Sequence, residues 1–461
     1  MRRALPALLL IAAIAGCALK PPPDSADTRR DALPHLSVPD QWTAKGVANG
    51  AVTAGWLGAF NDAQLDALVR EAIAYNPDLR VAAGRVDQAA GYARLAGATI
   101  YPQVSIMARG GGKLSSDGSG LQGGGIFLSW ELDLWGRVRS EREAGRFRYE
   151  STVLDAEYAR QSIAALVAKS WFLATEARLQ KALAEEMLVS SGRLVALALD
   201  RQRVGRGDEY DVALARATAE TYRDAVEQLE LARQQALRAL EALVGRYPAA
   251  AIEIPAALAQ RPAPVPAGLP SELLERRPDV AAAERRVAAA FYATEESKAA
   301  RLPRITLTAS GTSVSSDLLV LMSHSNPVFG VGLGLFAPLF TGGALESQVE
   351  IRTAEQKIAV AEYGRIGLRA FGEAENALSS EFTLGTRRAV LLASVAENAR
   401  ALEYANVRYR VGSGDLRAVQ QQQLALYAAR TALLRVESEQ LVQRVNLYLA
   451  LGGGWADADK K

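Results

Sequence analysis

Apolar and polar residues alternate along this chain with two different periods. Four short segments follow a period of two, as expected for strands with one apolar face. In 103–109, Val104, Ile106 and Ala108 alternate with Gln103, Ser105 and Arg109. In 125–134, Ile126, Leu128, Trp130, Leu132 and Leu134 oppose Ser129, Glu131 and Asp133. Further on, Ile305, Leu307 and Ala309 oppose Thr306, Thr308 and Ser310, and Phe329, Val331, Leu333 and Leu335 oppose Gly330, Gly332 and Gly334. Elsewhere the spacing is helical, as at Ile163, Leu166, Val167 and Trp171. No proline lies between Pro102 and Pro248 or after Pro338, so helices there can run without interruption. The pattern predicts long helices at about 137–203, 209–244, 344–410 and 416–451, the first roughly 100 Å long at 1.5 Å per residue. Shorter helices precede each strand pair, one over 62–75 and another with Asn76 as N-cap and Pro77 at its first position.

The chain repeats itself. Pro77-Asp78 and Pro102 recur 201 residues later as Pro278-Asp279 and Pro303, whereas Val204-Gly205 and Gly207-Asp208 recur 207 residues later as Val411-Gly412 and Gly414-Asp415. The expected organisation is a first repeat at 59–249, a proline-rich linker at 250–270, a second repeat at 271–455 and a tail at 456–461. Strands are expected at about 102–113, 121–135, 303–314 and 327–340.

The N-terminus has the form of an export signal: Arg2 and Arg3, an apolar stretch to Ile14 broken only by Pro6, then Ala15-Gly16-Cys17. It is too short to span a membrane. The placement resembles the bacterial lipobox, which implies acylation of Cys17, loss of residues 1–16 and, with Ala18 following, sorting to the outer membrane. Cleavage near an Ala-x-Ala site, leaving a spare thiol, is the other reading. Residues 17–58 then form a lipidated tether, extended as far as about Val47.

An exported chain with apolar strands of about ten residues and aromatic residues at their ends (Trp130, Trp135, Phe336, Phe340) fits a transmembrane β-barrel. Four strands cannot close one, so copies must associate. Two chains give eight strands and three give twelve, and periodicity does not choose between them. The loops at 110–120 and 315–327 would face outward and the long helices the periplasm.

Composition removes much chemistry. Lys plus Arg total 53 against 51 Asp plus Glu, which gives no basic excess for nucleic acid. One cysteine and two histidines, His35 and His324, exclude disulfide frameworks and four-ligand zinc sites. The G-x-G-x-x-G lettering at 118–123 leads into a strand and lacks a βαβ setting. Arg206-Gly207-Asp208 spells an adhesion tripeptide that the helix turn accounts for. The acid pairs Glu185-Glu186 and Glu295-Glu296 lie among basic residues on wet helix faces. No general acid and base pair stands out, so no enzyme, catalytic residue, metal or cofactor is expected.

Three runs carry a family resemblance: SWELDLWGR at 129–137, LPSELLERRPDV at 269–280 and VNLYLALGGGW at 445–455. The chain resembles the lipoprotein (OprM/NodT-type) branch of the TolC-like outer-membrane factors, from about Trp56 to Trp455. The resemblance implies a mainly α fold with membrane β: a trimeric twelve-stranded β-barrel, four strands per chain, continued by a long α-helical periplasmic barrel. It further implies an efflux exit duct for small molecules, partnered by a periplasmic membrane-fusion adaptor, an inner-membrane transporter of the resistance-nodulation-division class and outer-membrane lipid. By the same resemblance, the turns at Val204, Gly205, Gly207 and Asp208 and at Val411, Gly412, Gly414 and Asp415 are adaptor-docking tips. Many relatives carry an Asp at the narrowest ring, where this chain has Gln421. A periplasmic constriction of altered charge is therefore expected from Asp208, Asp211, Asp415, Arg417 and Gln421. Protein or polysaccharide export, and a lipid-anchored coiled coil without a pore, remain as alternatives.

Overall fold

The computed structural model describes residues 19–109, 122–315 and 328–454, apart from Asn49 and Thr53. The elements in chain order are α1 (Ser25–Ala32), α2 (Ala63–Tyr75), α3 (Pro77–Ala98), β1 (Gln103–Arg109), β2 (Gln122–Leu132), α4 (Arg137–Arg203), α5 (Glu209–Leu243), α6 (Leu273–Arg276), α7 (Pro278–Ala299), β3 (Arg304–Ser315), β4 (Val328–Phe336), α8 (Ala344–Val411) and α9 (Leu416–Ala450). The long helices fall within a residue of their expected bounds. Contacts divide the chain into two compact units, one of 1–36, 83–155 and 279–367, the other of 37–82, 156–278 and 368–461.

The first unit holds the sheet, antiparallel throughout in the order β1-β2-β3-β4. Its register gathers Val104, Leu128, Ala309 and Val331 in one row, and Leu132, Ile305 and Leu335 in another on the same face. This apolar face is uncovered: Val331 is 82% and Ile106 79% exposed. The opposite face carries Gln103, Ser129, Thr308 and Gly332 in one row and Glu131, Thr306 and Gly334 in another. Gly332 is needed for space, because a Cβ there would lie 3.0 Å from the Thr308 hydroxyl. That face is less uniformly polar than the alternation suggested, since Met107, Phe127, Val328 and Phe336 also lie on it.

Two strands end early. β2 stops at Leu132 instead of 135 because the Asp133 carboxylate turns to accept from the amides of Val138 (3.2 Å) and Arg139 (2.9 Å), capping α4. β4 stops at Phe336 instead of 340, two residues before Pro338, which has no amide hydrogen for a ladder. The hairpin loops beyond β1 and β3 lie outside the described residues.

Below the strands, Ala144, Phe147, Ala288, Ala289, Phe291, Tyr292 and Ala293 form a core against which Leu19 packs. Phe147 and Tyr292 stack with centroids 5.7 Å apart. Arg137 binds Glu131 at 2.9 Å and lies 3.5 Å from both Glu141 and Glu296. Burial and the acids Glu296 and Glu131 raise the Glu141 carboxyl, against the pull of Arg137. The segment expected as an extended tether folds in part: Asp24 caps α1, and Ser25 donates to Glu284 at 2.8 Å. Proline at 21–23 hid a helix whose own sequence, with an N-cap aspartate and a basic last turn, is ordinary.

The second unit buries Leu65, Val69, Trp171, Phe172, Leu237, Leu240, Leu273 and Leu441. The Asp62 carboxylate accepts from the amides of Gln64 and Leu65, capping α2, and from the indole of Trp171 at 2.8 Å. The linker is pinned by buried charge. Glu241 accepts from the amides of Ala250, Ala251 and Ile252, and Arg444 donates to the carbonyl of Pro262 at 2.9 Å and to Glu381. Trp42 donates to the carbonyl of Gly268 at 3.0 Å, and the amides of Thr43 and Ala44 bond to Glu375. The second half of the expected tether is therefore also held to folded structure.

Candidate functional site

The two long-helix turns, both in the second unit, are built by one device used twice. Gly205 (φ +74°) and Gly412 (φ +85°) take the left-handed conformation that favours glycine. Around Gly205, the amide of Arg206 bonds to the carbonyl of Arg201 at 2.8 Å and that of Gly205 to Gln202 at 3.0 Å. Around Gly412, the amide of Ser413 bonds to Arg408 at 2.9 Å and that of Gly412 to Tyr409 at 3.2 Å. This pairing of amides satisfies carbonyls that the ending helix leaves free. Gly207 and Gly414 are needed for close approach, since Cβ atoms there would meet the Cβ atoms of Arg201 and Arg408 at 3.2 and 3.0 Å.

Asp208 and Asp415 start the return helices. The Asp208 carboxylate accepts from the amide of Asp211 at 2.8 Å, and Asp415 from that of Ala418 at 2.7 Å. Val204 and Val411 stand exposed at the turns, 67% and 72% respectively. An open cleft of about 750 Å³ beside the second turn is lined by Tyr404, Arg408, Gly414, Asp415, Ala418 and Gln422 among others.

Beneath the turns the hairpins meet. Leu194, Ala198, Val212, Ala215, Tyr409, Leu416 and Val419 form a buried cluster. Two arginine–tyrosine contacts cross it. The Arg201 guanidinium lies 4.4 Å from the Tyr409 ring centroid and donates to the Tyr409 carbonyl at 2.5 Å. In return, Arg417 lies 5.8 Å from the Tyr210 ring and donates to its hydroxyl at 3.0 Å. The first hairpin thus supplies an arginine to the second and receives one back.

The electrostatics around these contacts are acidic. Burial, Asp208 and Asp415 raise the Asp211 carboxyl above its ordinary value, while Arg201 opposes them. Burial and the carboxylates of Asp211 and Asp208 raise the Tyr409 phenol, whose buried hydroxyl has no hydrogen-bond partner among the described residues.

The structure brings Asp208, Asp211 and Asp415 near enough for their charges to act on one another, while Arg417 contacts Tyr210. Gln421 is exposed, while Gln420 and Gln423 point inward, the latter donating to Ser190 at 3.0 Å. Sequence reasoning missed Arg201, Tyr210 and Tyr409, which helical spacing presents as ordinary face and core residues. A signal was available in the repeat: Tyr210 and Arg417 are 207 residues apart, so one copy holds the ring where the other holds the cation. Cys17 and His324 lie outside the described residues, and His35 is exposed. Among the described residues no cluster of His, Cys, Asp or Glu could hold a metal ion, and no helix is long and apolar enough to cross a membrane.

Residues 68–246 and 269–453 match the model of the outer membrane efflux protein family, one match per repeat. The pyoverdine export outer membrane protein OpmQ of Pseudomonas aeruginosa is 30% identical over 446 residues, covering 91% of this chain and 92% of that protein. The cation efflux system protein CusC of Escherichia coli K12 is 30% identical over 458 residues, covering 96% and 97%. A crystal structure of CusC, described in terms of transmembrane channel formation, superposes with a TM-score of 0.83 at 28% identity, covering 91% of this chain and 98% of that one. On sequence, repeat structure and fold together, the chain belongs to the outer membrane efflux protein family.

Proposed function

We propose that the chain is the outer-membrane exit duct of a tripartite efflux pump. The observation that carries this reading is the sheet. It has two unpaired edges, one uncovered apolar face and one face dominated by hydroxyls and glycine, which is how part of a membrane barrel with a wet lumen must look. Three copies would close a twelve-stranded barrel, and their helices would continue it as the periplasmic barrel. The lumen needs no acid–base pair, metal or cofactor, and the reading assigns no catalysis.

The paired turns serve in this reading as the tips that meet a periplasmic adaptor protein, which links the duct to an inner-membrane transporter of the resistance-nodulation-division class. Val204 and Val411 supply exposed apolar contacts, and the glycine turns leave the backbone accessible. The ring of Asp208, Asp211 and Asp415, with Arg417 and Gln421, forms the periplasmic constriction. Acylation of Cys17 adds an anchor in outer-membrane lipid. Pyoverdine and cations, the cargoes named for two relatives, differ, which fits a permissive duct whose cargo the transporter chooses.

The test is a deletion strain also lacking its other homologous ducts. Small-molecule accumulation should rise and fall again when the gene is restored. Unchanged accumulation there, or purified protein that opens no channels in planar bilayers, would sink the proposal.

A further inference from the structure

At the foot of the sheet the two repeats leave their strands differently. Each passes into its long helix through a glycine of positive φ, Gly136 (+78°) and Gly343 (+85°), which are 207 residues apart. In the first repeat the loop fills itself: Asp133 turns back to cap α4, and Trp135 donates its indole N–H to the Pro303 carbonyl at 2.7 Å. In the second repeat the same two places, 207 residues on, hold Phe340 and Gly342. Phe340 has no carboxylate and Gly342 no side chain. The loop there leaves an open cleft of about 520 Å³, lined by Lys298, Arg301, Leu302, Leu339, Phe340 and Glu346 among others.

The cations of this cleft also belong to the second repeat alone. At a spacing of 201, Gly97 and Ile100 stand where Lys298 and Arg301 do. Lys298, in the last turn of α7, donates to Glu295 at 2.7 Å and keeps two further hydrogens. Arg301 lies 3.9 Å from Glu346, in the first turn of α8, too far for a hydrogen bond, so its donors are unspent among the described residues. Leu339 and Phe340 are 95% and 91% exposed. They follow Pro338, which ends the ladder of β4, so strand pairing leaves them uncovered.

We infer that this cleft binds a phospholipid headgroup, its phosphate held by Lys298 and Arg301, its ammonium by Glu346, and its acyl chains lying against Leu302, Leu339 and Phe340. The inference rests on the proposed membrane barrel and adds a lipid site at its periplasmic foot.

Position, lining and charge balance select this occupant. The uncovered apolar face of the sheet runs down to Leu335, and half-exposed Trp135, bonded beside Leu302, marks the level at which aromatic side chains meet the bilayer surface. Exposed apolar side chains next to fixed cations complement a phosphate joined to acyl chains, whereas a soluble anion would use the cations alone. Two cations, Lys298 and Arg301, and two carboxylates, Glu295 and Glu346, sum to zero. That balance suits a headgroup with one phosphate and one ammonium. A glycerol headgroup would leave Glu346 without a partner.

The test is native mass spectrometry of the full-length assembly released from nanodiscs of equal parts phosphatidylethanolamine and phosphatidylglycerol. The wild type should retain phosphatidylethanolamine in preference. Lys298→Gln with Arg301→Gln should cut retention about ten-fold, as expected for hydrogen bonds from charged donors, while Arg301→Lys, which keeps the charge, should hold most of it. Glu346→Gln should abolish the preference between the two lipids. Phe340→Asp, which gives the loop the carboxylate that its counterpart has, should displace the lipid. These side chains are about half exposed or more, so the variants should assemble as the wild type does. Equal retention in wild type and the double glutamine variant, as when a neighbouring chain covers the cleft, would overturn the site. A wild-type preference for phosphatidylglycerol would overturn the headgroup assignment, and either result leaves the duct reading standing. Protein that does not insert into nanodiscs at all would overturn both.

Discussion

Arg201 of the first hairpin lies across the ring of Tyr409 in the second, 4.4 Å from its centroid, and donates to the Tyr409 carbonyl at 2.5 Å. Tyr409 is 1% exposed, so this contact closes over a side chain that cannot move without opening the cluster beneath. Arg417 and Tyr210 repeat the relationship in the opposite direction, both more exposed. The pair of contacts ties the two hairpins together beside the proposed constriction.

Removing the better-buried contact should loosen the constriction. A guanidinium over a ring contributes about 0.5–2 kcal/mol, and a hydrogen bond from a charged donor about 1.5–3 kcal/mol. Together these amount to about 2–5 kcal/mol, so Arg201→Ala should raise the ratio of open to closed single channels in planar bilayers by roughly thirty-fold or more, each 1.4 kcal/mol being worth a factor of ten. Arg417→Ala, acting at an exposed hydroxyl, should have a smaller effect. Equal open fractions in Arg201→Ala and wild type would refute a role for this contact in holding the channel closed.

The acidic surroundings of Asp211 should give the proposed constriction a pH dependence. Its carboxyl is raised by burial, Asp208 and Asp415, so the folded tips favour the protonated form. Protonation stabilises the closed arrangement as pH falls through the raised value, and that stabilisation is absent at neutral pH. Conductance should accordingly fall as pH is lowered from 7 towards the ordinary carboxylate range. Asp211→Asn should already be closed at pH 7 and respond less. Superimposable pH profiles for the two proteins would count against this role.

What was legible in the sequence follows from what faces solvent. The strands showed because one face is apolar and uncovered, and the long helices because proline is absent for more than a hundred residues around them. The end of β2 was not legible, because Leu134 continues the alternation while Asp133 has already turned to cap α4. Phe127 and Met107 break the polar face at positions that the alternation itself assigns to it, beside Ser129 and between Ser105 and Arg109. The glycines and aspartates of the turns were readable from local rules, but the Arg201–Tyr409 contact joins residues 208 apart and has no local signature.

Gln421 should leave the constriction without a fixed charge of its own. It is exposed, one turn beyond Arg417, and three symmetry copies would face one another in the proposed trimer. Gln421→Asp should add a carboxylate ring and shift reversal potentials in a salt gradient towards cations. Gln421→Ala should leave them unchanged. A wild-type cation preference that disappears in Gln421→Ala would contradict this assignment.

Asp62 makes a stability prediction in the second unit. Its carboxylate caps α2 and also accepts from the buried indole of Trp171. Loss of an N-cap costs about 1 kcal/mol, and an orphaned buried donor about 1–3 kcal/mol. Asp62→Ala should thus lose about 2–4 kcal/mol, seen as earlier dissociation of the heated oligomer, whereas Asp62→Asn, whose single amide oxygen can serve the cap amides or the indole but not both, should lose only part of that. Dissociation of Asp62→Ala at the wild-type temperature would show that neither contact contributes.

The lipid anchor and the sheet make opposite predictions for a chain without its cysteine. A single acyl chain gives only marginal membrane binding, and two or three give a stable but peripheral anchor. The apolar face, by contrast, offers Val104, Ile106, Phe329, Val331, Leu333 and Leu335, all more than half exposed. At about 25 cal/mol per Å² of apolar surface removed from water, such a face on each chain is a membrane anchor in its own right, independent of the acyl chains. Cys17→Ser, exported with a signal cleaved by the ordinary signal peptidase, should therefore stay in the membrane pellet after alkaline carbonate washing. Leu333→Arg with Cys17 intact should assemble poorly, because a charge on the lipid face costs about 2–4 kcal/mol near the bilayer centre and occurs three times in the trimer. Release of Cys17→Ser into the soluble fraction, with normal assembly of Leu333→Arg, would mean that the lipid is the anchor and the sheet lies outside the bilayer.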